Sequence, residues 1–392
     1  MSLPPLALYV HVPWCVRKCP YCDFNSHEAG GALPEREYVD ALLADLALDL
    51  DMVQDREITS IFIGGGTPSL FSPAAYERLF AGLRDALRFA ADIEITLEAN
   101  PGTAEQEKFR AYRALGINRL SIGVQSFNAA QLQVLGRIHG RDEAIRATEA
   151  ARAAGFASIN LDVMHGLPGQ SVAEAMADID QAIALAPTHI SWYQLTIEPN
   201  TVFFAQPPTL PGDDALADIE DEGFARLAAA GYARYEISAF AQPGQQCRHN
   251  RNYWEFGDYL AIGAGAHGKI TRRDRSVSRY RKTRLPKDYL HAAPRGLAHT
   301  KHITAHGNPF TSEQLLIPAA ELPFEFMLNA LRLTRGVDAA LFAAHTGLSL
   351  DAISPTLAAL RSRGLLIDDT SRLACTPRGL HFLNDVVNAF CH

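Results

Sequence analysis

The sequence has no run of about 18 uninterrupted apolar residues, so no stretch of it reads as a membrane-spanning helix. Met1 to Val12 lacks a basic region ahead of its short apolar stretch and is followed by no small-residue cleavage site. It reads as a first strand rather than a signal peptide, and a cytoplasmic protein is the expectation. Six cysteines in 392 residues are too few for a disulfide scaffold. A basic excess is missing as well: the formal net charge is −8, which argues against a general nucleic-acid binder. Low-complexity tracts are absent, and the only repeat is an alternation of strand-like and helix-like segments.

What is present suffices for a large core. The chain is 47% apolar and 20% charged, ordinary for a globular protein, and long enough for one large α/β domain and a smaller one. Strand-like runs at Leu6–Val12, Ile61–Ile63, Ile93–Leu97, Arg119–Val124, Ser158–Met164 and Ile190–Thr196 alternate with helical patterns such as Glu35–Leu50, Pro73–Phe89 and Val172–Leu185. Six βα units imply a parallel sheet with right-handed crossovers, either doubly wound or an incomplete barrel, and periodicity does not choose between them. In both, functional groups belong at the C-terminal ends of the strands. After about Ala241 the pattern breaks. Gln242–Arg251 is loop-like. Arg272–Lys301 is basic and irregular, and its cations, Arg272 to Arg284, read as a solvated face. From Glu321 three helices (Phe324–Arg332, Asp338–Thr346, Asp351–Arg363), a hairpin of Leu365–Ile367 with Leu373–Cys375, and a last helix Pro377–Phe390 suggest a winged-helix-like module. The expected division is a core domain over 1–240, a linker region over 241–308 and the C-terminal module over 309–392.

Three of the six cysteines stand together, as Cys15, Cys19 and Cys22, in the loop after the first strand. Three thiolates at C-x3-C-x2-C spacing can wrap one small inorganic object. A structural zinc site wants a fourth ligand, commonly from a second Cys pair, and this sequence has none; His27 is the nearby substitute. Three ligands on a four-iron cube leave one iron open, which suits chemistry rather than structure. Cys247, Cys375 and Cys391 are scattered and read as ordinary thiols.

Further polar groups fall at strand ends. Gly64-Gly65-Gly66-Thr67-Pro68 follows the second strand, where bare glycines expose backbone N–H and C=O groups to a ligand. Glu98, Gln125 and Asp162 sit within or just after the third, fourth and fifth strands. A lone buried carboxylate is usually a structural hydrogen-bonder; three polar side chains on successive strands favour one pocket. Arg137 is placed to pair with a carboxylate, or to form a surface salt bridge.

The C-x3-C-x2-C loop, with Tyr21 just before its third Cys, resembles the signature of the radical S-adenosylmethionine (SAM) superfamily. Together with the glycine and strand-end motifs it is similar to the branch that holds the oxygen-independent coproporphyrinogen III oxidases and the heme chaperones called HemW. The likeness is strong from about Leu6 to Thr196 and looser beyond. It implies a partial (β/α)6 barrel, a [4Fe–4S] cluster on Cys15, Cys19 and Cys22, and SAM chelated at the open iron. Tyr9, Tyr21, Gly65, Gly66, Thr67, Glu98, Gln125, Arg137 and Asp162 would be SAM-binding positions.

Within that branch two features depart from the oxidases. They carry a further Cys two residues after the third, where this chain has Phe24, and an N-terminal extension where this chain has 14 residues before Cys15. His249-Asn250-Arg251-Asn252-Tyr253-Trp254 resembles the H-N-x-x-Y-W motif of the chaperones. His is the usual ligand of heme iron and aromatic rings line porphyrin faces, so His249 is the candidate heme ligand, with Cys247 and His267 as rivals. The resemblance therefore implies a heme chaperone that passes heme to acceptors such as respiratory enzymes, with an oxygen-independent coproporphyrinogen III oxidase as the alternative. The motif is the same whether or not SAM is cleaved, so an enzymatic reaction is left open, as are peripheral membrane contact and a homodimer.

Overall fold

In the computed structural model, residues 2–102, 106–292 and 307–391 are described. Six strands, β1 (Leu6–Val12), β2 (Ile58–Gly65), β3 (Phe89–Ala99), β4 (Arg119–Gln125), β5 (Ser158–His165) and β6 (His189–Gln194), lie side by side in chain order and are all parallel. A doubly wound sheet reverses its strand order at a switch point; this one does not, so it curves as an incomplete barrel. The helices α1 (Glu35–Leu48), α2 (Pro73–Ala86), α3 (Arg141–Ala153) and α4 (Val172–Ala184) cross between consecutive strands. Among them α2 and α4 start on Ser72 and Ser171, whose side chains accept from the N–H groups of Ala75 and Glu174. The strands are buried on both faces, which is why they read as short apolar runs rather than as alternating patterns.

The sheet does not stop at six strands. After β6 come two short antiparallel strands, β7 (Ala233–Arg234) and β8 (Ala239–Ala241). On the other side β9 (Asp258–Ile262) pairs in parallel with β1, and β10 (His267–Thr271), β11 (Val277–Lys282) and β12 (Thr311–Leu316) follow as antiparallel neighbours. The spatial order is β12-β11-β10-β9-β1-β2-β3-β4-β5-β6-β8-β7. This corrects the sequence expectation for the stretch after Ala241: much of it is strand, and Pro286–Ala292 is a helix. Its end, 293–301, lies outside the described residues. The helix α5 (Arg248–Trp254) carries the H-N-x-x-Y-W motif and packs against β1, β2 and β9.

The solvated-face reading of the basic stretch also fails at particular residues. Lys282 is buried, with Nζ 2.5 Å from Asp45 and 2.5 Å from Asp49. Arg279 pairs with Glu325 across to the C-terminal part. In that part the helices Leu322–Ala330, Ala340–Thr346 and Ser354–Ser362 match the expected three. The hairpin is reduced to one bridge, Leu366 with Cys375, because Arg372–Leu373 pairs instead with Val337–Asp338. The last helix breaks into Pro377–His381 and Leu383–Asn388. A second apolar core, around Phe326, Phe342, Leu357 and Leu373, also takes in Tyr235, Phe256 and Val277 from the sheet side. Among the described residues no helix is long and apolar enough to cross a membrane.

The added strands are locked to the barrel by a buried ion cluster. Asp258, at the start of β9, accepts from Arg56 at 2.7 Å, from Lys269 at 2.9 Å and from the Thr271 N–H and hydroxyl at 2.8 Å each. These partners hold its carboxyl below the usual 3.8 despite burial. Its stabilising contribution is therefore complete above 3.8 and is lost as pH falls through the lower folded value. Asp258→Ala leaves Lys269 buried without its carboxylate and is expected to cost about 3 kcal/mol, read from denaturant unfolding at neutral pH. The gap between variant and parent should close in acid.

Candidate functional site

The chain leaves β1 and turns back on itself through the three cysteines. Trp14–Cys15 bridges in parallel to His27–Glu28, the Ala29 N–H donates to the Cys15 carbonyl at 2.9 Å, and the Cys22 N–H donates to the Cys19 carbonyl at 3.2 Å. The tip is pinned where the Phe203 N–H donates to the Pro20 carbonyl at 3.0 Å. The thiols of Cys15, Cys19 and Cys22 thereby face a cavity of about 500 Å³. Burial pushes the Cys15 and Cys22 thiols up from their usual value.

The same cavity gathers Tyr21, Gly65, Gly66, Thr67, Glu98, Gln125, Arg137 and Asp162. Eight of the nine positions expected from the resemblance thus meet here; Tyr9 does not line it. Gly66 is required by space, since a Cβ there would stand 2.6 Å from the Trp14 carbonyl oxygen and 3.0 Å from the Cys15 sulfur. Gly65 adopts φ +122°, and its N–H donates to Glu98 at 3.0 Å. Burial, with Asp162 nearby, raises the Glu98 carboxyl to about 8. Asp162 accepts from Ser121 at 3.0 Å and from Asn160 at 2.8 Å, yet burial leaves its carboxyl raised. Gln125 ends β4 in the left-handed region at φ 68°, and its side-chain oxygen accepts from the Tyr193 hydroxyl at 2.6 Å.

Among the described residues Arg137 forms neither a surface salt bridge nor a pair with a carboxylate. It donates to the Gly123 carbonyl and the Asn100 side chain, both at 2.7 Å, and to the Cys19 sulfur at 3.6 Å. Asn100 in turn donates to Thr67 at 2.9 Å. The guanidinium so placed sets a fixed positive charge beside the Cys19 sulfur. Its Nε, buried and without a hydrogen-bond partner among the described residues, is free for an acceptor in the cavity. His27 is turned away, its Nε2 3.3 Å from the Asn25 side-chain oxygen. No three His, Cys, Asp or Glu side chains among the described residues converge on one ion position. Three thiols facing a wide cavity fit a multi-iron cluster rather than a single closed zinc.

A second and larger cavity, about 810 Å³, adjoins the first. Asp23, Phe24, Gly65 and Glu98 line both. Its walls are aromatic, from Tyr9, Phe62, Tyr253, Trp254 and Tyr259. His249 reaches it from α5. Glu94 on β3 holds the start of that helix, accepting from the Arg248 and His249 N–H groups at 3.1 Å each. The His249 ring lies 5.2 Å from Phe62 and 6.5 Å from Tyr9, centroid to centroid. Burial, with the Arg119 cation nearby, lowers its pKa to about 3, so the imidazole is neutral. The Ser60 hydroxyl is 3.2 Å from Nδ1, which leaves Nε2 for a ligand. Trp254 is held from behind by Arg332, 4.7 Å from its ring. His267 lines the same cavity, more exposed. Cys247 does not: its thiol is fully buried, donates to Glu94 at 3.5 Å and is pushed up to about 12.

With both cavities in view, the kinship is plain. The radical SAM superfamily pattern matches residues 9–182, and the HemN C-terminal domain pattern matches residues 317–382. The chain is 50% identical over 390 residues to the heme chaperone HemW of Escherichia coli, covering 100% of this chain and 99% of that one. It is 48% identical over 393 residues to the heme chaperone HemW of Haemophilus influenzae, covering 99% and 98%. Its fold is similar to that of the radical SAM enzyme coproporphyrinogen III oxidase (HemN) from Escherichia coli, with a TM-score of 0.80 at 24% identity over 99% of this chain and 90% of that one. The chain carries a radical SAM domain and belongs to the HemW family of heme chaperones.

Sequence reasoning missed Asn100, Tyr193 and Asn25. Asn100 stands two residues after Glu98, and strand alternation in Ser191-Trp192-Tyr193 puts Tyr193 on the face of Ser191, so both were within reach of the pattern. For the first cavity a pH signature follows from Glu98. Its proton is held more tightly folded than unfolded, so stability is highest below about 4.5 and is lost as pH rises towards about 8. Glu98→Gln should flatten that slope in the ligand-free protein, measured by denaturant unfolding across that range.

Proposed function

We propose that this protein is a heme chaperone in action as well as in kinship: it binds heme in the larger cavity and hands it to acceptor proteins. Cys15, Cys19 and Cys22 would hold a [4Fe–4S] cluster, with SAM in the smaller cavity against Gly65, Gly66, Thr67, Glu98, Gln125, Arg137 and Asp162. When bound, the cluster would supply single electrons and one iron free for SAM to chelate. The observation that carries the heme reading is the neutral His249 in a wall of aromatic rings, with Nδ1 taken by Ser60 and Nε2 left over.

The residues divide the work. Glu94 fixes α5 and so the height of His249 in the barrel. Tyr253 stands edge-on to Trp254 at 4.8 Å and lies 5.2 Å from Tyr259, which makes a broad apolar wall suited to a porphyrin face. A cavity of about 810 Å³ is within the range of sites that enclose cofactor-sized molecules. Phe24, 60% exposed between the two cavities, takes the place where the oxidases have a further Cys, and it leaves the larger cavity open to exchange.

The deciding experiment is anaerobic reconstitution with iron and sulfide, followed by heme titration. The reading expects one cluster per chain, lost in Cys15→Ala, and stoichiometric heme with a defined Soret band. His249→Ala should shift that band and weaken binding by roughly tenfold or more. Cys247→Ala should leave the band in place. A protein that takes up no heme, or that decarboxylates coproporphyrinogen III under reducing conditions, sinks the proposal.

A further inference from the structure

The larger cavity has one basic edge. Arg281, Arg284 and His267 line it together with Ser312 and Thr283. His267 and Arg281 are direct partners across β10 and β11, so their side chains share one face. Most other cations of this stretch are engaged elsewhere. Lys282 is buried against Asp45 and Asp49, Arg279 pairs with Glu325, Arg272 with Asp51 at 2.8 Å and Arg273 with Asp55 at 2.7 Å.

Arg281 and Arg284 are held differently. Arg281 meets Glu313 through Nε at 2.9 Å, with its side chain 54% exposed. Arg284 donates from Nε to the Asn25 side chain at 3.2 Å. In each case the contact fixes the guanidinium by its inner nitrogen, and among the described residues the two terminal nitrogens make no hydrogen bond. A guanidinium anchored at Nε and open at its two Nη groups is poised for a carboxylate. Away from that edge the lining is largely aromatic, with His249 and Asn250 from α5, His11 and the carboxyl groups of Glu98 and Asp23 as its polar members; Asn25 and the engaged Lys282 adjoin the basic edge.

From this layout we infer that Arg281 and Arg284 form a carboxylate subsite that takes the two propionates of heme and fixes its orientation, iron towards His249 and charged edge towards β11. The inference rests on the proposed heme reading. It adds a charge requirement that the reading itself does not make: the site selects an amphipathic disc with acids on one edge, not an apolar disc. It also assigns Asn25, three residues beyond Cys22, a positioning role, since its side chain holds Arg284 while also donating to the Ala264 and Arg284 carbonyls at 2.8 Å each.

The test titrates the full-length protein with ferric heme and with its uncharged dimethyl ester in the same detergent buffer. The parent is expected to bind heme about tenfold or more tightly than the diester. The double variant R281Q/R284Q should bind the two alike while keeping the parent's Soret maximum, because His249 is untouched. R281K/R284K, which keeps the charges, should retain part of the preference. A parent that binds heme and diester equally overturns the subsite, as does a glutamine double variant that still prefers heme. Failure of the parent to bind either compound is a different result and removes the heme reading itself.

Discussion

Everything in this molecule is organised around a strand with parallel partners on both sides. β1 pairs with β2 on one side and with β9 on the other, so Tyr9 stands between Phe62 and Ala261. Parallel pairing puts the C-terminal ends of all three strands at one rim. The cysteine loop leaves from β1, the glycine run from β2 and the Gly263–His267 turn from β9. Two cavities built by distant parts of the chain thus share a wall. The buried Asp258 cluster secures that arrangement, since β9 joins the barrel only after the whole βα series has been laid down.

The shared wall also sets the electrostatics. Glu98 faces both cavities, is half-buried, and finds one backbone N–H where an ionised carboxylate would want several. Desolvation therefore outweighs hydrogen bonding and its pKa rises. His249 is subject to the same physics with the opposite sign, since burial lowers an imidazole. Both shifts favour the neutral form near neutral pH. A neutral imidazole is the form that ligates iron, and a carboxyl with a raised pKa ionises readily once a cation approaches. Arg137 works in the other direction, carrying a fixed positive charge to the Cys19 sulfur.

The barrel and its first cavity were largely legible in the sequence because each signal is local. Three cysteines in eight residues, three glycines after an apolar run and one polar residue per strand are patterns that a short window contains. The larger cavity was legible at His249, its motif and His267. Arg281 and Arg284 read as surface charge, because their neighbours Asn25 and Glu313 are set by strand pairing that no local window reveals. Lys282 shows the same limit more sharply: nothing around it in sequence distinguishes it from Arg281, yet it is buried. Alternation explains the difference once the strand is known. Successive residues of β11 face opposite sides of the sheet, so Lys282 points to α1 and its aspartates while Arg281 points to the cavity.

That alternation bears on how a chaperone's site can differ from an oxidase's within one fold. The barrel strands are buried on both sides and tolerate little change. β10 to β12 are at the margin of the sheet, where one face is covered and the other lines an open cavity. The exposed His267 and Arg281 there can change charge without disturbing the parallel core, whereas the buried Lys269 and Lys282 are bound into ion clusters; Gly65, Gly66 and the cysteine loop stay fixed by close contacts such as the one between Gly66 and Trp14. The smaller cavity is thus constrained by packing and the larger one by far less. The larger cavity has its freedom in the exposed positions of the strands beyond β9 and at the exposed Phe24.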